Sequence, residues 1–170
     1  MKILVAISGA SGFGIGKKVY DLIPNSYEKH LIITQNAQIV ANKEENIYLN
    51  KEIWQPPASG SFGIDKMNIV PCSMNTLAKI ANGIEDNLIT RSAGVIIKEK
   101  KTLLIAPREM PFSSIHLENM YKLSKLGVII APPILGYYAN IKNLEDMENF
   151  IIGKWFDLLG IDNNLYKRWN

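Results

Sequence analysis

Five short, almost uninterrupted apolar runs recur along the chain, and each is followed by a stretch with helical spacing. The runs are Lys2–Ile7, Lys29–Thr34, Met67–Val70, Thr102–Ala106 and Val128–Ala131. A strand wetted on one face alternates apolar and polar residues, whereas a continuous apolar run is buried on both faces. The helical stretches between them are Phe13–Ile23, Gln35–Glu45, Asn75–Asn82, Asn87–Lys101, Ser113–Lys125 and Leu144–Leu159. A strand followed by a helix-length crossover returns parallel to its predecessor. The pattern therefore predicts an α/β chain: a doubly wound, mostly parallel sheet with helices on both faces, three-layered and Rossmann-like.

Punctuation supports these boundaries. Pro24, Pro71, Pro107 and Pro132–Pro133 stand where helices or strands should stop, and Gly83 and Gly127 follow helical stretches. Asn143 and Gly160 suit the two ends of the last helix. Residues 46–63 carry PPASGSFG and read as irregular. At 170 residues the chain is expected to form one domain with a sizeable core.

In such sheets ligands bind beyond the carboxyl ends of the strands. That directs attention to residues 8–12, 34–36, 71–76, 107–111 and 132–138. Composition excludes several chemistries. Net charge is only +3, with no long basic run, which argues against nucleic acid and membrane surfaces. Cys72 is the one cysteine, so no internal disulfide forms, and it reads as a small core residue. With only His30 and His116 besides, a zinc site of the Cys/His kind is not expected. His30 is expected to flank an edge of the second strand, and His116 to sit on or cap a helix. No apolar run approaches membrane-spanning length, and residues 1–7 run into a Gly-rich turn rather than a cleavable leader. A cytoplasmic location is expected.

The Gly-rich turn is Ser8-Gly9-Ala10-Ser11-Gly12-Phe13-Gly14. Small residues there let a phosphate approach the backbone and the free N–H groups of the next helix. The dinucleotide pattern is incomplete: Lys17 stands where its third glycine belongs, and the second strand ends without an acid. A mononucleotide phosphate fits better, and the plain alternative is a tight turn with no ligand. The third strand ends in Pro71-Cys72-Ser73-Met74-Asn75-Thr76, where Ser73 can cap a helix and Asn75 and Thr76 add donors. The fourth ends in Pro107-Arg108-Glu109-Met110-Pro111, a cation and a carboxylate held between prolines. Arg is scarce, three against sixteen Lys, so Arg91, Arg108 and Arg168 each invite a reason. Arg91 and Lys98 lie two turns apart on one helix face; a solvated face is the plain alternative.

These segments, in order, resemble the UbiX family of flavin prenyltransferases. The matching residues are Gly9-Ala10-Ser11-Gly12, Pro57-Ala58-Ser59-Gly60-Ser61-Phe62 and Pro71-Cys72-Ser73-Met74-Asn75-Thr76. They continue with Leu88-Ile89-Thr90-Arg91, Ile97-Lys98-Glu99, Arg108-Glu109-Met110-Pro111, Pro132-Pro133, Tyr137-Tyr138 and the closing Arg168-Trp169. The resemblance implies transfer of a dimethylallyl group from dimethylallyl phosphate to N5 and C6 of reduced FMN. The product, prenylated FMN, serves a UbiD-type decarboxylase. It also implies a homo-oligomer, commonly a dodecamer, with sites formed between subunits and no catalytic metal. Gly9, Ala10, Ser11, Thr34, Ser73, Met74, Asn75, Thr76 and Arg108 match FMN-binding positions. Arg91, Lys98, Arg108, Tyr138 and Lys154 match positions that hold the prenyl phosphate, although many members carry Arg where Lys154 stands. Glu44 lies ten residues after Thr34, as the family's active-site Glu follows its Ser.

The implied chemistry asks for charge on a departing phosphate, and Lys98, Arg108, Tyr138 and Lys154 would supply it. The allylic fragment carries positive charge as it separates, which the ring of Trp169 can face. A tail of about 161–170 is expected to cover the site and exclude water. Glu109, Glu44 or the released phosphate would take the C6 proton, with Ser11 as relay. The alternatives are an FMN-dependent decarboxylase, acting on an aromatic acid or on cysteine, and a bare flavin carrier. The cysteine enzymes use a catalytic His and a PASANT-like motif, which Pro57-Ala58-Ser59-Gly60-Ser61 does not reproduce.

Overall fold

A computed structural model describes residues 1–9, 12–34, 46–137 and 141–168. In chain order the elements are β1 (Lys2–Ile7), α1 (Phe13–Leu22), β2 (Glu28–Ile33), β3 (Ile47–Leu49), β4 (Lys66–Cys72), α2 (Met74–Ala81), α3 (Leu88–Lys98), β5 (Thr102–Pro107), α4 (Ser114–Lys125), β6 (Ile129–Ile130) and α5 (Leu144–Leu159). Two short 3-10 turns, Pro56–Ala58 and Gly60–Phe62, lie between β3 and β4. The strands form one parallel sheet in the order β3-β2-β1-β4-β5-β6. Its order reverses between β1 and β4, the position where doubly wound sheets open a crevice.

The apolar runs are buried on both faces, as their continuity requires. Ile3, Val5, Ile7, Val70 and Ala106 pack against α1 and α5, where Trp155 and Phe156 fill the layer. Leu4, Ala6, Met67, Ile69 and Ile105 face the other way, onto Leu77 of α2, Leu88 and Ile96 of α3 and Leu123 of α4. Helix α1 lies very close to the sheet. A Cβ on Gly16 would come within 2.4 Å of the Val70 carbonyl oxygen, so only glycine permits the approach.

Several expectations change. Pro71 does not end the third apolar run: β4 continues to Cys72, and the Val70–Pro71 peptide is cis. A proline is tolerated there because the β1 and β5 ladders both reach only Ile69 before the register shifts. Residues 46–63 are not wholly irregular, since Ile47–Leu49 adds a short edge strand beside β2. That strand corrects the reading of His30, which is 1% exposed rather than at an edge. Its Nε2 meets the Glu28 carboxylate at 3.0 Å, Nδ1 meets the Tyr48 hydroxyl at 3.3 Å, and Phe62 packs edge-on. Helix α3 ends at Lys98, because Lys100 takes a left-handed φ of 55° and turns the chain into β5. The helix expected over 35–45 lies outside the described residues. Asn143 and Gly160 cap α5 as read, and His116 closes a capping box with Ser113.

Candidate active site

The carboxyl ends of β1, β4 and β5 come together, and a serine joins the first two. Ser8 is 3% exposed; its hydroxyl accepts the Ser73 N–H at 2.9 Å, and its own N–H donates to the Pro71 carbonyl at 3.2 Å. The Gly-rich turn and the Ser73 turn are thus one braced surface. Gly9 and Gly12 have φ of +112° and +134°, which side-chain-bearing residues rarely adopt. A Cβ on Gly12 would stand 3.0 Å from Pro71 and 3.4 Å from Nε of Arg108. The space that these glycines leave is the space a ligand can enter. Helix α1 begins there with no side-chain cap, so its first N–H groups face outward to favour an anion.

At the second turn, Ser73 caps α2 by accepting the Thr76 N–H at 3.2 Å and donates to the Thr76 hydroxyl at 3.0 Å. The two hydroxyls are therefore already oriented. Asn75 is exposed beside them, Met74 is half-buried against the core, and Thr34 follows β2 along the same edge of the sheet. Cys72 is 1% exposed, and burial pushes its thiol up to about 12, which makes it an inert core residue.

Arg108 leaves β5 at the same level, its N–H donating to the Cys72 carbonyl at 3.3 Å. It borders two adjoining clefts. One, of about 560 Å³, is walled by Gly12, Pro71, Ala106, Pro133, Leu144 and Trp155. The other, of about 740 Å³, is walled by Glu109, Met110, Pro111, Phe112 and Pro132. Both volumes lie within the ordinary range for small-molecule sites. The Glu109 carboxylate accepts its neighbour's N–H, from Met110, at 3.1 Å, and stays exposed.

The remaining expected residues do not gather here within one chain. Lys98 ends α3, beside Glu99 at 2.6 Å and close to Gly60. That is the amino-terminal edge of the sheet, where Lys101 Nζ donates to the Ile64 carbonyl at 2.6 Å. The six residues of β5 separate it from Arg108, about 20 Å at strand rise. Arg91, near the start of α3, is paired with Glu85. Lys154 projects from α5 and is exposed, with Nζ 6.0 Å from the Tyr166 ring. Ala10, Ser11, Glu44, Tyr138 and Trp169 lie outside the described residues.

Two features were not singled out from sequence as site residues, one between the turns and the other at the far end of α5, near Lys66 at the amino-terminal edge of the sheet. Ser8 is the brace between the turns; a lone polar residue closing a five-residue buried run is the signal that could have found it. Asp157 is the other. Its carboxylate takes Nη1 and Nη2 of Arg168 at 3.1 and 2.8 Å, Nδ2 of Asn163 at 3.0 Å, and the Tyr166 hydroxyl. Burial works to raise its pKa, but the hydrogen bonds from Arg168, Tyr166 and Asn163 outweigh it and hold the carboxyl below its ordinary value. Among the described residues no group of three or more His, Cys, Asp or Glu could hold a metal ion. Nor is any helix among them long and apolar enough to cross a membrane.

Residues 1–156 match the family model described as Flavoprotein. Over an alignment 184 positions long, the chain is 47% identical to the flavin prenyltransferase UbiX of Helicobacter pylori, covering 99% of this chain and 98% of that one. Among solved structures, a UbiX bound to FMN and dimethylallyl pyrophosphate superposes with a TM-score of 0.91 at 35% identity, covering 99% of this chain and 97% of that one. A dodecameric FMN-dependent UbiX-like decarboxylase from Escherichia coli O157:H7 also gives 0.91, at 32% identity and 100% coverage of both chains.

Proposed function

The chain belongs to the flavoprotein family and, within it, to the UbiX flavin prenyltransferases, and on that footing we propose how its own residues prenylate FMN. The donor is dimethylallyl phosphate, the acceptor reduced FMN, and the bonds formed are to N5 and C6. One phosphate leaves for each C5H8 gained, and the prenylated flavin passes to a UbiD-type decarboxylase. Reduced FMN supplies the electron-rich ring that the allylic carbon alkylates.

The residues fit that substrate. Gly9 and Gly12 leave room for a ligand against the backbone, and the uncapped start of α1 favours an anion. Ser73 and Thr76, each oriented by the other, present hydroxyls to the flavin, with Asn75 and Thr34 beside them. The observation that carries the reading is Arg108, set between the Gly12 turn and two adjoining clefts. Its guanidinium reaches toward both a flavin seated in the turns and a phosphate in the cleft beyond. A planar fork there stabilises charge on the departing phosphate more than a point charge does.

Lys98 belongs in this reading only if it comes from another subunit, since β5 separates it from Arg108 in its own chain. We therefore assign the prenyl-phosphate end of each site to more than one chain of a homo-oligomer, in agreement with the dodecameric relative. Lys154, Tyr138 and Arg91 would add donors, Glu109 or Glu44 would take the C6 proton with Ser11 as relay, and Trp169 would face the allylic fragment. The tail, 161–170, would exclude water.

Arg108→Lys tests the central assignment. Under anaerobic conditions with reduced FMN and dimethylallyl phosphate, phosphate release is expected to fall about 100-fold. A rate equal to the parent's would remove Arg108 from the chemistry.

A further inference from the structure

The C-terminal segment does not trail off the sheet. The chain reverses at Gly160, which has φ 60°, and returns along the outside of α5. Tyr166 lies over Gly153, where a Cβ would come within 2.4 Å of its ring. The same ring meets Phe150 edge-on, centroids 5.3 Å apart, and Phe150 in turn fills the space above Gly136, where a Cβ would be 2.3 Å away. Glycine at 136 and 153 is what lets loop, helix and tail pack into one continuous column. Arg168 also stands over the Tyr166 ring, 5.4 Å from its centroid, and Lys154 Nζ is 6.0 Å away. The whole column is anchored on one group, since Asp157 accepts from Tyr166, Arg168 and Asn163 at once.

We propose that Asp157 is a positioning residue for the prenyl-phosphate end of the site, acting through Tyr166 and Arg168 on Lys154 and on the loop that carries Gly136 and Tyr137. The proposal rests on the prenyltransferase reading above, and on Lys154 as a phosphate donor within it. Its physical basis is preorganisation. A Lys side chain has four rotatable bonds, and an aromatic face beside its ammonium narrows the states it samples. The Tyr166 hydroxyl and the neighbouring guanidinium are both tied to one carboxylate, which adds to the packing that holds that face in place. The flavin turns lie on β1 and β4, away from this column, so flavin binding is not expected to depend on it.

The test is Asp157→Asn, which keeps shape and removes the charge that holds Arg168, with Arg168→Gln as a second variant at an exposed side chain. KM for dimethylallyl phosphate is expected to rise about tenfold in both, while the FMN dissociation constant stays within about twofold. In a Lys154→Ala background the Asp157→Asn effect on donor KM is expected to shrink, because the two act through one contact. A general loss of structure would instead weaken FMN and donor together and leave the two substitutions additive; either result overturns the proposal. So does an active parent with unchanged donor KM in both variants. A parent that transfers no prenyl group from either the phosphate or the pyrophosphate overturns the underlying reading, a different result from an active parent with indifferent variants.

Discussion

Gly12 joins backbone conformation to ligand space in a single residue. Its φ of +134° costs about 1–2 kcal/mol for a residue with a Cβ, and that Cβ would press on Pro71 and Arg108. Gly12→Ala is expected to weaken FMN binding at least about tenfold, read by flavin fluorescence quenching. Unchanged affinity would place the flavin elsewhere. Asn68 makes the opposite case. It is 1% exposed on β4, and neither its amide nitrogen nor its oxygen has a hydrogen-bond partner among the described residues. Asn68→Leu is expected to stabilise the fold by about 1–3 kcal/mol. Thermal unfolding checks this, at roughly 2–4 °C for each kcal/mol in a chain of this length; a lowered Tm would mean that the amide is satisfied in solution.

At the scale of elements, the β2–β3 edge carries a pH dependence. Burial is the main cause that pushes the His30 pKa below its ordinary value, against the smaller raising effect of Glu28. The unfolded chain therefore binds a proton near the ordinary His pKa, about 6.5, that the folded chain refuses. Stability is full above that pH and falls as the pH drops below it, levelling once the folded His30 also protonates. His30→Gln is expected to flatten the loss of Tm between about pH 7.5 and 5.5; an identical slope would assign the effect to other groups. The same edge shows what the sequence could and could not convey. The continuous apolar runs announced buried parallel strands, and the Gly-rich and Pro-flanked turns announced where a ligand would sit. β3 escaped notice because three half-buried residues carry no period, and without β3 His30 read as an edge residue. Pro71 read as a stop because proline cannot donate to a ladder, whereas the β1 ladder ends at Ile69 and the β5 ladder skips from Ile69 to Cys72. The tail column was illegible for a different reason: Gly136, Gly153 and Asp157 matter through contacts 6 to 14 residues apart, which no helix or strand period announces. Gly153→Val is accordingly expected to expel Tyr166 and raise donor KM while FMN affinity holds, a split visible in steady-state kinetics.

For the whole molecule, the separation of Lys98 and Arg108 across the sheet is the consequential feature. A site that needs both is completed only between chains. Lys98→Ala and Arg108→Ala are each expected to be inactive, yet hetero-oligomers assembled from both chains should regain about a quarter of parent activity, the share of sites that draw both intact residues. No recovery would return both residues to one chain's site. The most direct measurement is the mass of flavin extracted after anaerobic incubation of the protein with reduced FMN and dimethylallyl phosphate. A gain of one C5H8, matched by one released phosphate, is the predicted result. Unaltered FMN, with the pyrophosphate equally inert, would contradict it and leave a flavin-binding protein without this transferase activity.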